Sequence, residues 1–191
     1  MSVDNMHETL VERVEIARGK LVTLRHDTIA DANGEHHLRE VVVHRGGVAV
    51  VPLLDDGRVL LVRQYRHAVG DVCLEIPAGT LDRLDDGSLE PPDDAIRREL
   101  AEETGHSAAQ WRKFGRFYTA PGFATEVMHL YLACGLQPIP GYDGPDADER
   151  LEVEAVPLAR ALELADAGEI RDAKTLVGLY WVGRLRDQGA L

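Results

Sequence analysis

The chain has few aromatics, a deficit of basic residues and almost no cysteine. Phe, Tyr and Trp make up 5% of its 191 residues, and none stands before Tyr65. The first third of the chain therefore offers no ring to stack against a base or sugar. Lys and Arg number 21 against 33 Asp and Glu, a formal net charge of −12, which argues against a nucleic-acid partner. An acidic chain that handles phosphorylated molecules needs metal ions and a few placed arginines to do so. Only Cys73 and Cys134 are present, both in apolar runs, so buried free thiols are expected rather than a disulfide, a zinc site or a nucleophile. No apolar run approaches the roughly 18 residues of a membrane span. The first ten residues, MSVDNMHETL, are too polar for a secretory signal. A cytoplasmic location without a membrane partner is expected. Internal repeats and low-complexity tracts are also missing.

With 45% hydrophobic and 28% charged residues, the chain can bury a sizeable core. The expected organisation is an N-terminal strand region over residues 1–45 and a main domain over residues 46–191. Residues 9–16, 20–27 and 38–44 carry strand patterns, separated by Gly19 and by the turn signal Asp31-Ala32-Asn33-Gly34. Three short strands with so few large apolar residues cannot stand alone, so they should lean on the main domain or on a second subunit. Gly46-Gly47 opens that domain. The apolar runs 48–54 and 59–65 flank Asp55-Asp56-Gly57, a hairpin signal, and the strand pattern at 72–76 leads into Pro77-Ala78-Gly79. Further strands are expected at 111–118, 127–133 and 151–156, and helices at 157–167 and 170–185. Leu158, Ala161 and Leu162, then Leu176, Leu179, Tyr180 and Val182, mark the core faces of those helices.

The stretch 79–106 carries the chemistry. Pro91 and Pro92 suit a helix start, Asp93 and Asp94 suit its positive N-terminal end, and Gly105 suits its stop. At about 100° per residue, Glu99, Glu102 and Glu103 fall at roughly 0°, −60° and 40°, on one face. Three like charges this close repel one another. Arg98, four residues before Glu102, can neutralise one carboxylate, and the remaining acids suit Mg2+ or Mn2+, hard cations that take oxygen ligands. Metal-assisted attack of water on a phosphate or pyrophosphate follows. The alternative is a solvated acidic helix face.

Arg98-Glu99-Leu100-Ala101-Glu102-Glu103-Thr104-Gly105, with Glu90 separated from Arg98 by seven residues, resembles the Nudix box, G-x(5)-E-x(7)-R-E-U-x-E-E-x-G-U with U a bulky apolar residue. Two departures stand out. Ten residues rather than five separate Gly79 from Glu90, so the loop carries an Asp-, Gly- and Ser-bearing insertion, and His106 replaces an apolar residue. The segments VRQYRHAVG and LEIPAG are similar to the strand, loop and pre-box turn of ADP-ribose pyrophosphatases. A proline fifteen residues after the box, here Pro121, distinguishes that branch.

The resemblance implies an α/β Nudix fold, an α/β/α sandwich around a mixed sheet, with a small N-terminal β-sheet extension. It implies hydrolysis of ADP-ribose to AMP and ribose 5-phosphate with two or three Mg2+ ions, for which Mn2+ can substitute. Glu99, Glu103 and the Ala78 carbonyl would hold metal, Glu102 would ligate it or orient a bridging water, and Arg98 would orient the glutamates. Arg66 would contact substrate phosphate, and Glu75 would reach substrate or metal, although each also fits a plain structural role. Pro121, Gly122 and Phe123 would form the turn walling the ribose or adenine end. In the acidic segment 137–150, Glu149 is the expected base or ligand, with Asp146, Asp148 and Glu152 in reserve. The branch exchanges its N-terminal sheet between partners, so a homodimer is expected. That sheet usually supplies a platform for adenine, a role left here to Arg25, His26 or Leu21. The missing aromatic keeps other nucleoside diphosphate sugars open, GDP-mannose or ADP-glucose among them. A non-catalytic ADP-ribose sensor is the alternative of a different class. It is disfavoured because every box acid is present and no basic DNA-binding segment follows. Without zinc-type cysteine pairs, the zinc-bearing NADH pyrophosphatases are not close relatives.

Overall fold

The computed structural model describes residues 6–144 and 150–191. The chain divides into two compact units, one comprising the residues up to Gly46 with Tyr118–Val127, the other Gly47–Phe117 with Met128–Leu191.

In the first unit, β1 (Thr9–Arg18), β2 (Val22–Ala30) and β3 (His36–His44) form an antiparallel sheet in that order. The expected strands are all present, each longer than its apolar pattern. Arg13 Nε and Nη2 donate to the two oxygens of the buried Asp27 at 2.8 and 2.9 Å, which ties β1 to β2. The turn segment 118–127 docks on β3: Val42 N donates to the Phe123 carbonyl at 2.8 Å and Thr125 N to the Val42 carbonyl at 3.0 Å. Every position of β1 is exposed, apolar Leu10, Val11, Val14 and Ile16 included.

In the second unit, β4 (Gly47–Pro52) lies at the centre of a four-stranded sheet, antiparallel to β7 (Ala78–Thr80) and parallel to β9 (Val127–Pro138), with β8 (His106–Tyr118) beyond β9. A second sheet places β5 (Arg58–Arg66) between β6 (Asp71–Glu75) and β10 (Leu151–Pro157), antiparallel to both. Buried on both faces, β4 reads as an unbroken apolar run. Val48 and Val50 pack with Ile96 and Leu100 of α1 (Pro92–Thr104), while Ala49 and Val51 pack with residues of α2 (Leu158–Asp166) and α3 (Ala173–Asp187). This is the α/β/α sandwich with a mixed sheet.

Four local expectations change. The Asp55-Asp56-Gly57 turn forms, with Gly57 N donating to the Leu54 carbonyl at 2.9 Å. Its flanking strands nevertheless share a single bridge, Leu53 with Val59, before parting into different sheets. Strand β8 begins at His106, directly after the helix stop. Helix α3 begins at Ala173 because Asp172 accepts from Thr175 N at 3.0 Å, so capping rather than apolar spacing sets its start. Tyr180, expected on the core face, is 44% exposed, and its hydroxyl donates to Asp166 at 2.9 Å.

Candidate active site

The site is built on α1. Pro92 occupies its first turn, Asp93 and Asp94 follow, and Gly105 closes it at φ 68, a left-handed conformation that costs glycine little. Ile96 and Leu100 anchor the apolar face. The acidic face is less exposed than a solvated surface would be: Glu99 and Glu103 are only 7% and 3% exposed. Burying carboxylates is costly unless hydrogen bonds and cations compensate.

Arg98 supplies much of the compensation. Its Nη1 donates to Glu99 Oε1 and to Glu102 Oε2, each at 2.8 Å. Its Nη2 and Nε reach the two oxygens of Glu90 at 2.8 and 3.2 Å. The sequence suggests Glu102 as its partner; the structure hydrogen-bonds it to three acids and sets a fourth, Asp82, at 3.5 Å. The Glu90 hydrogen bonds are the foremost reason that Arg98 is held above its ordinary range, and in turn the Arg98 hydrogen bonds hold the Glu90 carboxyl below its own.

Glu103 faces the β6–β7 turn, where Ala78 N donates to its Oε2 at 3.0 Å. Glu99 occupies the space above Gly79: a Cβ on that residue would lie 1.9 Å from Glu99 Oε1. Only glycine permits this approach. The pre-box turn and the acidic helix face, separate in the sequence, thus form one constellation. Glu102 is the most exposed of the three box glutamates, at 40% of its side chain.

Residues 43–177 match the NUDIX domain family. The chain belongs to the Nudix family. It is 36% identical over 178 residues, 93% of this chain and 94% of the other, to the ADP-ribose pyrophosphatase of Bacillus subtilis. It is also 36% identical over 173 residues to the GDP-mannose pyrophosphatase of Salmonella paratyphi B, covering 84% of this chain and 87% of the other. The crystal structure of an ADP compounds hydrolase matches with a TM-score of 0.80 and 25% identity, over 96% of this chain and 97% of that one. The insertion ahead of Glu90 is exposed over residues 82–89 and folds on itself: Leu84 N donates to the Ser88 carbonyl, Gly87 N to the Leu84 carbonyl, and Arg83 bridges Leu89.

Arg66 ends β5 and donates Nε and Nη2 to the two oxygens of Glu75 at 2.7 and 2.8 Å. Glu75, at the end of β6, is 1% exposed, so it is not an exposed alternating position. Burial alone would push its carboxyl up, but Arg66 and Lys174 outweigh it and hold the group below the usual carboxylate range. Lys174 was missed in the sequence. It opens α3, its side chain is 11% exposed, and it bonds both Glu75 and Asp172, the latter at 3.0 Å. Nothing near it in the chain distinguishes it from a surface lysine.

Among the loop acids, Asp146, Asp148 and Glu149 lie outside the described residues, and Glu152 is exposed on β10 opposite Arg63. The preceding residues are anchored at the end of α1: Ile139 N donates to the Gly105 carbonyl at 2.7 Å, and Tyr142 OH to the Glu102 carbonyl at 2.8 Å. Residues 137 and 138 extend β9 instead of opening the loop. Arg25, Pro121, Gly122 and Phe123 belong to the first unit, where Arg25 pairs with Asp27 at 3.2 Å and Phe123 is 58% exposed. In that unit Asp31, Glu35 and His37 bring ligand atoms within 4.8 Å of one another. Asp31 there accepts from the backbone of Asn33 and Glu35, both at 2.9 Å, which accounts for the group as a turn. Cys73 and Cys134 are free and partly buried, and burial raises both thiols. No helix among the described residues is long and apolar enough to cross a membrane.

Proposed function

We propose that the protein hydrolyses the pyrophosphate of ADP-ribose to AMP and ribose 5-phosphate. The observation that carries this is the closure of Glu99 and Glu103 on the Ala78-Gly79 turn. Buried carboxylates form a hard oxygen donor set, which fits Mg2+ or Mn2+. Glu99, Glu103 and the Ala78 carbonyl would hold two or three such ions, and Glu102 would ligate metal or orient the attacking water. Bound there, the metal makes water more acidic and neutralises charge on the leaving phosphate. Arg98 holds the glutamates apart and oriented without touching substrate. Arg66 binds a phosphate oxygen, Glu75 aims Arg66, and Glu149, with Asp146, Asp148 and Glu152 in reserve, accepts the proton of the water. Pro121, Gly122, Phe123 and Arg25 contact the nucleoside or ribose. The names of the Bacillus subtilis relative and of the solved ADP compounds hydrolase support the substrate.

A second substrate has its own support. The relative named GDP-mannose pyrophosphatase is as similar in identity, and no aromatic precedes Tyr65 to stack on adenine. The deciding experiment incubates purified protein with Mg2+ and ADP-ribose, beside GDP-mannose and ADP-glucose, and follows products by chromatography with a Glu103→Gln control. Release of AMP from ADP-ribose by the wild type alone supports the proposal. Release of GMP from GDP-mannose, with ADP-ribose intact, replaces the substrate.

The protein acts as a cytoplasmic homodimer, with residues 1–45 forming the dimer. Leu10, Val11, Val14 and Ile16 on the exposed β1 give the sheet an apolar surface that a second copy covers. Light scattering should give twice the chain mass. Val14→Glu with Ile16→Glu should give one.

A further inference from the structure

We propose that Lys174 is a positioning residue for phosphate capture, acting through Glu75: it offsets the carboxylate charge that otherwise cancels Arg66. This rests on the reading above in taking a phosphate as the group bound.

The geometry begins with Arg66. Its Nε and Nη2 are committed to Glu75, a two-pronged contact that fixes the guanidinium plane. Its Nη1 makes no hydrogen bond among the described residues, so that edge is available to an anion. An isolated Arg66–Glu75 pair, however, is electrically neutral and draws a phosphate only through its dipole. Lys174 adds a second cation to the same carboxylate.

Asp172 also pairs with Lys174 at 3.0 Å, and its charge is felt at Arg66. It accepts from Thr175 N at 3.0 Å and from Thr175 Oγ1 at 2.6 Å, at the positive end of α3. The charged groups facing the cluster are thus Arg66 and Lys174 against Glu75 and Asp172, with Glu103 also attracting Arg66 from α1, so that without Lys174 the acids outnumber the cations.

Lys174 gains nothing from the helix that carries it, and its buried partner is Glu75. A cation in the first turn of a helix opposes the helix dipole, and a buried ion pair is often no more stabilising than apolar residues of the same size. The network also continues to the metal-binding turn. Ile76 N donates to Thr175 Oγ1 at 2.9 Å, two residues before Ala78. One hydrogen-bonded chain therefore links Arg66, Glu75, Lys174, Asp172 and Thr175 to the backbone that leads to the acidic face.

The test compares the wild type, Lys174→Met, Lys174→Arg and the double variant Glu75→Gln/Lys174→Met. Two quantities are read: kcat and KM for ADP-ribose with Mg2+, and the calorimetric affinity for inorganic pyrophosphate without metal. Lys174→Met should raise KM and weaken pyrophosphate binding by about tenfold, with kcat changed by less than about threefold. Lys174→Arg, which keeps the charge, should stay within about threefold of wild type in both. The double variant restores the charge balance but keeps only one of the two Glu75 acceptors for Arg66, so its pyrophosphate affinity should recover part of the loss, by about threefold over Lys174→Met.

A folded Lys174→Met protein with unchanged KM and pyrophosphate affinity overturns the proposal. So does a double variant that stays as weak as Lys174→Met, or a wild type that takes no pyrophosphate. If Lys174→Met does not fold, Lys174→Gln takes its place, with the same loss expected and the same unchanged KM and pyrophosphate affinity overturning the proposal. Failure of the wild type to hydrolyse ADP-ribose discards the substrate instead, and the pyrophosphate comparison still judges Lys174.

Discussion

Two charged clusters in the second unit are built on different ratios. On α1, one guanidinium hydrogen-bonds three carboxylates, Glu90, Glu99 and Glu102, and pairs with a fourth, Asp82, at 3.5 Å, with Glu103 close by at the start of β7. Where β5 and β6 meet α3, two cations, Arg66 and Lys174, share one buried carboxylate, Glu75. The first cluster is short of positive charge and suits metal; the second balances its carboxylates, Glu75 and Asp172, with two cations and suits phosphate. A pyrophosphatase needs both, since the metal and the protein cations neutralise different parts of the same anion.

The largest test of this contrast is Glu103→Gln. It removes one charge from the metal side while keeping the hydrogen bond from Ala78, so turnover should fall by about 100-fold or more with the melting temperature almost unchanged. Turnover near wild type would remove the α1 face from the chemistry. Next comes Gly79→Ala. Its methyl group must displace Glu99 from a 1.9 Å approach, and the misplaced ligand should cost about tenfold to 100-fold in kcat. An alanine variant with normal kcat would show that the position of Glu99 is immaterial.

Arg98→Leu probes the charge deficit through stability. It leaves buried Glu99 and largely buried Glu90 without their cation, at a cost of about 2–3 kcal/mol. Added Mg2+ should recover more of the melting temperature in this variant than in the wild type. Equal shifts in the two proteins would mean that Arg98 and metal do not serve the same carboxylates.

The smallest effect is in acid. Glu75 and Glu90 are both held below the ordinary carboxylate range, so their stabilising contribution is full above about pH 4.3 and is lost as pH falls through their folded values. Denaturant titrations from neutral pH down to about pH 3 should show stability falling, and Glu90→Gln should flatten that fall. An unchanged slope would place the acid sensitivity elsewhere, Glu75 being the next candidate.

The two clusters also differ in how much of them could be seen in the sequence. The α1 face is local: its prolines, first-turn acids, helical spacing and glycine stop lie within a few turns, and local signals survive translation into structure. Glu90 was visible as a motif position, though not as the main partner of Arg98, because that contact depends on how the insertion folds back. The Glu75 cluster is nonlocal, with Lys174 standing 99 residues from its carboxylate. The same division runs through the fold. The turn at Asp55-Asp56-Gly57 was legible, whereas the choice of separate sheets for β4 and β5 depends on pairing with β9 and β10.

By itself the sequence determined the acidic helix, its limits and the side chains on its reactive face, because each follows from spacing and backbone preference within a short segment. The tertiary structure decided which carboxylates are buried, that Gly79 gives way to Glu99, and that one lysine far along the chain completes the Arg66 cluster. Burial and ion pairing arise between segments, and their partners are fixed only when the sheet and helices pack.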